Sequence, residues 1–137
     1  MIAIDTNILV YAFDTSYPEK RNICKKLIEN IFNGDKKCAV TSQILAEFAV
    51  VVTKKIENPL TKTQAESIVG AILSSENWTV VNYEGEDVLR ALKSKQSFWD
   101  ALIIQTLKKN DINAFVTENE KHFENAGLKI INPFKNN

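Results

Sequence analysis

Five short apolar runs, separated by longer stretches of helical spacing, constrain this chain more than any other feature. Ile2 to Ile4, Cys38 to Val40, Trp78 to Val81, Ala114 to Val116 and Lys129 to Ile131 are too short for helices and hold mostly β-branched and aromatic residues. The intervening segments read as helices over Asn7 to Phe13, Pro18 to about Phe32, Gln43 to Lys55, Thr61 to Ser74, Glu86 to Lys95 and Phe98 to Lys109. Strands joined through helices return to pair in parallel, and a parallel sheet needs cover on both faces. The expectation is an α/β fold: a mostly parallel five-stranded sheet with helices on both faces, one domain over residues 1–137.

Local signals punctuate this pattern. Ser16-x-x-Glu19, with Pro18 in the first turn, and Thr61-x-x-Gln64 read as capping boxes. Thr41-Ser42 starts the third helix, and Asn33-Gly34-Asp35 ends the second. The helix from Glu86 is expected to turn Val88, Leu89 and Leu92 inward.

Charge excludes little by itself. With 17 basic and 17 acidic residues the formal net charge is zero, so nucleic acid would have to be held by a local patch. Cys24 and Cys38 lack metal-ligand spacing and read as reduced thiols of a cytoplasmic protein. The first apolar run is broken at Asp5 and has no basic leader, which argues against a signal peptide or a membrane span.

Three acids sit where the pattern asks for apolar residues. Asp5 separates Ile2-Ala3-Ile4 from Ile8-Leu9-Val10, and it is the only charge before Asp14. Glu47 is the only charge from Thr41 to Thr53, and at about 100° per residue it falls between Val50 and Val51 on the helix wheel. Asp100 is the only charge from Phe98 to Leu107. An unpaired charge taken from water costs several kcal/mol, on the order of magnitude at which such groups are paired, neutralised or bound to metal. Two of the acids also have an ordinary reading to weigh. Asp5 can cap the helix that follows it, and Ser97-x-x-Asp100 fits a shortened capping box, whereas Glu47 has no such role.

In parallel sheets ligands bind beyond the carboxyl ends of the strands, and all three acids map to that edge. Acids converging there repel one another unless a cation lies among them. An oxygen-only set suits a hard ion such as Mg²⁺, and the lack of accompanying His or Cys disfavours zinc. The single histidine, His122, reads as a surface or helix-end residue rather than a ligand.

The segments carrying these acids resemble a known family. Ile-Ala-Ile-Asp5-Thr6-Asn7-Ile-Leu-Val-Tyr-Ala-Phe-Asp resembles the opening of PIN-domain ribonucleases, and most of all the VapC-type toxins of toxin–antitoxin pairs. Glu47 in Ser-Gln-Ile-Leu-Ala-Glu-Phe, Asp100 in Ser-Phe-Trp-Asp-Ala-Leu-Ile and Thr117-Glu118-Asn119 before Lys-His-Phe123 continue it in order along the chain. The resemblance implies an Mg²⁺- or Mn²⁺-dependent endoribonuclease whose site residues are Asp5, Glu47, Asp100 and Asn119, with Asp5, Asp100 and Glu47 toward the metal. It implies products with 5′-phosphate and 3′-hydroxyl ends, a cognate antitoxin protein and a homodimer. The fourth position is commonly Asp in the family and is Asn119 here, which puts a second metal in doubt. Glu118 and Glu120 flank it as possible substitutes, although Thr117-x-x-Glu120 is also a capping box. Thr6 is expected to orient Asp5 or a water, Asn7 to stand behind it, and Lys54, Lys55, Arg90, Lys93 and Lys95 to be candidate backbone contacts for the RNA substrate.

Two rivals remain at this point. An aspartyl phosphotransferase would use Asp5 as nucleophile but wants a second Asp where Asn7 stands. An inactive PIN-like module that binds a partner or RNA is the other, and Asn119 favours it.

Overall fold

Residue Ile2 of β1 (Ile2–Ile4) lies opposite Cys38 of β2 (Cys38–Thr41) on one side and Ala114 of β4 (Ala114–Val116) on the other, so the first strand is central. Strand β2 pairs outward with β3 (Trp78–Val81), and β4 with β5 (Lys129–Ile131), every pair parallel. The computed structural model describes residues 1–135, and its sheet order is β3-β2-β1-β4-β5. All four residues of β2 are buried although successive side chains point to opposite faces, so both faces are covered, as expected.

Helices α1 (Thr6–Tyr11), α2 (Pro18–Phe32), α3 (Ser42–Lys54) and α4 (Lys62–Ser74) form one packed series, α1 against α2 and α3, and α3 against α4. Helices α5 (Gly85–Lys93) and α6 (Phe98–Lys109) pack on each other, and a 3₁₀ turn (Glu120–Phe123) follows β4. The main core joins Ile4, Ile8, Phe48, Leu107, Phe115 and Phe123, all essentially without solvent contact. No helix of the described residues is long and apolar enough to cross a membrane. Cys24 and Cys38 are free and buried, and burial pushes both thiols up to about 12.

Some local signals behave as expected. Thr41 caps α3 by accepting from the Ile44 amide at 3.0 Å, and Thr61 with Gln64 forms a complete capping box on α4. Others do not. Helix α1 is Thr6–Tyr11, shorter than the Asn7 to Phe13 expected. Ser16 makes no box with Glu19, because its hydroxyl donates instead to Glu57 across the chain and its amide to Asp14. On α5 Val88 packs inward as expected, but Leu89 and Leu92 are 54% and 69% exposed, while Ala91 and Asp87 are buried. The face is chosen by α6, which presents small Ala101 to the contact and sends Lys109 to Asp87. Thr117 and Glu120 form no box either. Glu120 is taken by Lys135 and Asn132, and Thr117 turns toward Asp5.

Candidate functional site

The chain leaves β1 for β2 and β3 on one side, then crosses back to β4 and β5 on the other. The crevice at this switch lies between the carboxyl ends of β1 and β4, the place where an open parallel sheet leaves room for a ligand. Asp5 is the first residue beyond β1, and its amide donates to the Val116 carbonyl of β4 at 2.9 Å. A cavity of about 1130 Å³ opens here and is lined by Asp5, Glu47, Asp100 and Asn119 together. The structure thus brings all four sequence-selected residues to one opening.

Asp5 is 6% exposed and serves two local purposes. It is the N-cap of α1, its Oδ1 accepting the Thr6 amide at 2.8 Å, and its Oδ2 accepts the Thr117 hydroxyl at 2.7 Å and Asn7 Nδ2 at 3.4 Å. The cap reading and the site reading are therefore both realised on one side chain. Burial pushes the Asp5 carboxyl up to about 6. The Thr117 and Thr6 hydrogen bonds pull it back, and the negative charges of Glu47 and Asp100 push it up again.

Glu47 is half-buried on α3. Its Oε2 accepts the Thr6 hydroxyl at 3.0 Å and its Oε1 accepts Gln43 Nε2 at 2.9 Å, one helical turn earlier. Thr6 therefore ties two acids together, its amide to Asp5 and its hydroxyl to Glu47. Asp100 stands in the first turn of α6. Ser97 does not cap the helix: its hydroxyl donates to Asp100 Oδ2 at 2.7 Å, so the box expected there is absent. His122 Nδ1 lies 3.3 Å from the same oxygen.

Asn119 is exposed at the rim, its amide donating to Thr117 Oγ1 at 3.0 Å. Its acidic neighbours are committed elsewhere. Glu118 accepts the Tyr11 hydroxyl at 2.7 Å and pairs with Lys20. Burial alone would raise its carboxyl, but those two donors outweigh it and hold it below the usual range. Asn7 links this segment to the site, accepting the Glu118 amide at 3.4 Å while donating to Asp5.

The basic residues proposed for RNA contact are not in this place. No Lys or Arg lines the cavity among the described residues. Lys54 and Lys55 end a helix of 13 residues, roughly 20 Å long, that begins at the site's edge of the sheet. Arg90 is paired with Glu86 and Asp87. Conversely, Thr117 and Gln43 orient two of the acids and His122 touches the third, whereas the sequence suggested only a cap for Thr117, a surface or helix-end place for His122 and no role for Gln43. A buried hydroxyl directly after a strand, and an amide four residues before a lone Glu on one helix, are the signals that could have found the first two.

The donor set is carboxylate, amide and hydroxyl oxygen. No group of three or more His, Cys, Asp and Glu side chains among the described residues stands ready as a metal cage. That arrangement still fits Mg²⁺, which keeps several waters and takes one or two carboxylates rather than a closed protein shell. The convergence of Asp5, Glu47 and Asp100 on one opening with no Lys or Arg in its lining among the described residues is the observation favouring a cation there.

Similar proteins agree with this architecture. A toxin–antitoxin complex from Klebsiella pneumoniae matches 99% of this chain over 100% of its own, at 20% identity and a TM-score of 0.67. The Mycobacterium tuberculosis toxin VapC20, described as cleaving the sarcin–ricin loop, matches 84% of this chain over 87% of its own, at 15% identity and a TM-score of 0.62. VapBC2 from Rickettsia felis, bound to a promoter DNA fragment, matches 95% over 97% at 23% identity and a TM-score of 0.60. At such identities these likenesses speak for the fold alone. No curated protein matches the sequence. The PIN domain family model matches residues 2–128, nearly the whole length over which the sheet and the carboxylate cavity are built, and the chain belongs to the PIN-domain family.

Proposed function

We propose that this protein is a metal-dependent endoribonuclease, the VapC-type toxin of a toxin–antitoxin pair. The observation that carries the reading is the convergence of Asp5, Glu47 and Asp100, lone acids of three separate segments, on one cavity that Asp14 also lines and that has no Lys or Arg in its lining among the described residues. Structural acids are normally answered by cations or by a full set of donors. Asp5 and Asp100 would hold Mg²⁺ or Mn²⁺, which when bound supplies a nucleophilic water and neutralises charge on the phosphoryl oxygens. Glu47, held by Thr6 and Gln43, would orient a water for in-line attack on the phosphodiester. Thr117 and Asn7 hold the Asp5 carboxylate in one orientation. Family likeness adds a cognate antitoxin protein and a homodimer as partners.

The test is cleavage of bulk RNA in Mg²⁺ or Mn²⁺ with EDTA as control, and end analysis for 5′-phosphate and 3′-hydroxyl products. Intact RNA under all metal conditions would overturn the reading. Asn119, neutral where relatives commonly have Asp, favours a second reading, an inactive PIN-like module that binds a partner or RNA. Metal-dependent cleavage abolished by Asp100→Asn eliminates it.

A further inference from the structure

Of the exposed aromatic rings that line the cavity, Tyr17 packs edge-on against Tyr11, whereas Trp99 and Tyr83 stand on the opposite, β3 and α6 side and belong to neither apolar core. Trp99 directly precedes Asp100 and is 59% exposed. Its neighbour Phe98 packs into the small α5–α6 core and meets the indole edge-on at 5.2 Å, so Phe98 anchors the helix start and Trp99 is left outside it. The backbone of Trp99 is fixed by its carbonyl, which accepts Gln43 Nε2 at 3.3 Å, and the same amide group holds Glu47. The indole is thus mounted on the framework that positions the acids. Tyr83, just beyond β3, is 38% exposed and lines the same cavity.

A nucleic-acid site without lysine or arginine in its lining has only neutral donors such as Ser42, Gln43 and Asn82 for the phosphates and gains no ion pairs with them there. Base stacking is the remaining strong and sequence-tolerant interaction, and aromatic side chains with a free face supply it. The cavity is larger than the roughly 300–1,000 Å³ usual for small-molecule pockets, as a length of polymer requires. We propose that Trp99, assisted by Tyr83, is the base-stacking platform of this site, taking an unpaired RNA base next to the phosphate presented to Asp5 and Asp100. The identity of the ligand rests on the nuclease reading above. A base inside a duplex has both faces covered, so the platform serves only nucleotides that are unpaired or drawn out of the stack.

Binding of a fluorescently labelled, mixed-sequence single-stranded RNA is measured by anisotropy in EDTA, and KM and kcat on the same RNA in Mg²⁺. Trp99→Ala should weaken binding and raise KM by roughly 5–150-fold, the range of one lost base–aromatic stack, with a smaller change in kcat. Trp99→Phe should restore most of the loss, and Tyr83→Ala should give a lesser defect. Indole fluorescence should be quenched by the single strand in wild type but not in Trp99→Ala, whose remaining Trp78 is buried. Circular dichroism checks that the variants are folded. Unchanged binding and KM in Trp99→Ala, or equal affinity for the annealed duplex, would overturn the platform. So would a variant that alters only oligomeric state. Cleavage with no Trp99 effect leaves the nuclease reading standing and removes this inference. RNA bound through Trp99 but never cleaved does the reverse.

Discussion

Asp5 and Asp87 are almost equally withdrawn from water, yet their surroundings differ in kind. Asp87, near the start of α5, accepts the Glu84 amide and Lys109 Nζ, each at 2.8 Å, and Arg90 Nη1 at 3.3 Å. Burial alone would raise its carboxyl, but these donors outweigh burial and hold it below the usual carboxylate range. Asp5 has only neutral donors and two further acids nearby, and it is driven up to about 6. Burial of an acid is therefore not the mark of a site. A buried acid whose charge the protein leaves unanswered is, and only Asp5 meets that description of the two.

The largest expected effect breaks this pair apart by activity. Asp100→Asn keeps an oxygen to accept from Ser97 but removes charge from the cavity. RNA cleavage per folded molecule should fall at least about 100-fold, the scale of losing one electrostatic participant in a reaction centre. In EDTA the variant should melt no lower than wild type, because carboxylate repulsion is relieved. Asp87→Asn should do the opposite, leaving cleavage intact and costing about 1–3 kcal/mol as Lys109 and Arg90 lose their partner. A destabilised but fully active Asp100→Asn would remove Asp100 from the reaction centre.

Acidity sharpens the comparison next. Asp5 has its folded-state value raised, so its contribution to metal-free stability is fully present below its unfolded value near 3.8 and is lost as pH rises through about 6. That loss is on the order of 3 kcal/mol, at about 1.4 kcal/mol per unit. Asp87 is lowered, so its contribution is present above its unfolded value and is lost as pH falls. Chemical denaturation in EDTA between pH 4 and 7 should therefore lose its downward limb in Asp5→Asn and keep it in Asp87→Asn. Identical pH profiles for wild type and Asp5→Asn would show that Asp5 does not titrate in this window.

Metal is the third lever. A ligand selective for the folded state stabilises it by about 2.7 kcal/mol at a hundred times its Kd. Mg²⁺ or Mn²⁺ should raise the melting temperature of wild type and of Asp87→Asn alike, and raise that of Asp5→Asn much less. Equal shifts in all three would place any bound cation elsewhere.

What could be read from the sequence divides along the same line. The strands, the Thr41 cap and the Thr61–Gln64 box were legible because each depends on residues a few positions apart. The lone acids were legible because a charge inside an apolar run needs no knowledge of the fold to look wrong. Asp87 gave no such sign: beside Glu86 at a helix start it looks like an ordinary first-turn acid, and its burial depends on α6. The same reason hid the exposure of Leu89 and Leu92, since hydrophobic spacing offers a face but the neighbour decides which face is used. Thr117 was hidden by distance. Its hydroxyl meets Asp5 across 112 positions, and a threonine before a turn already has a local explanation.

The smallest expected effect concerns Asn119, the neutral member of the four residues selected from the sequence. Asn119 sits at the exposed rim, positioned through its amide by Thr117, so a charge placed there is well hydrated. Asn119→Asp adds a further acid to the opening, and no side-chain hydrogen bond of Asn119 is lost. In EDTA the added repulsion should lower stability by less than about 1 kcal/mol, as befits a solvated charge. With Mg²⁺ or Mn²⁺ the sign should reverse, because the extra carboxylate becomes a ligand or a water-holding partner. The half-saturating metal concentration for cleavage should then fall below that of wild type. Placing the new acid on α5 instead, at the exposed Leu92 as Leu92→Asp, should produce no metal-dependent gain, because that position does not line the cavity. A metal titration of cleavage rate on wild type, Asn119→Asp and Leu92→Asp decides the point. Unchanged half-saturation in Asn119→Asp would mean that position 119 lies outside the reach of the ion, and that the reaction centre comprises the three acids alone.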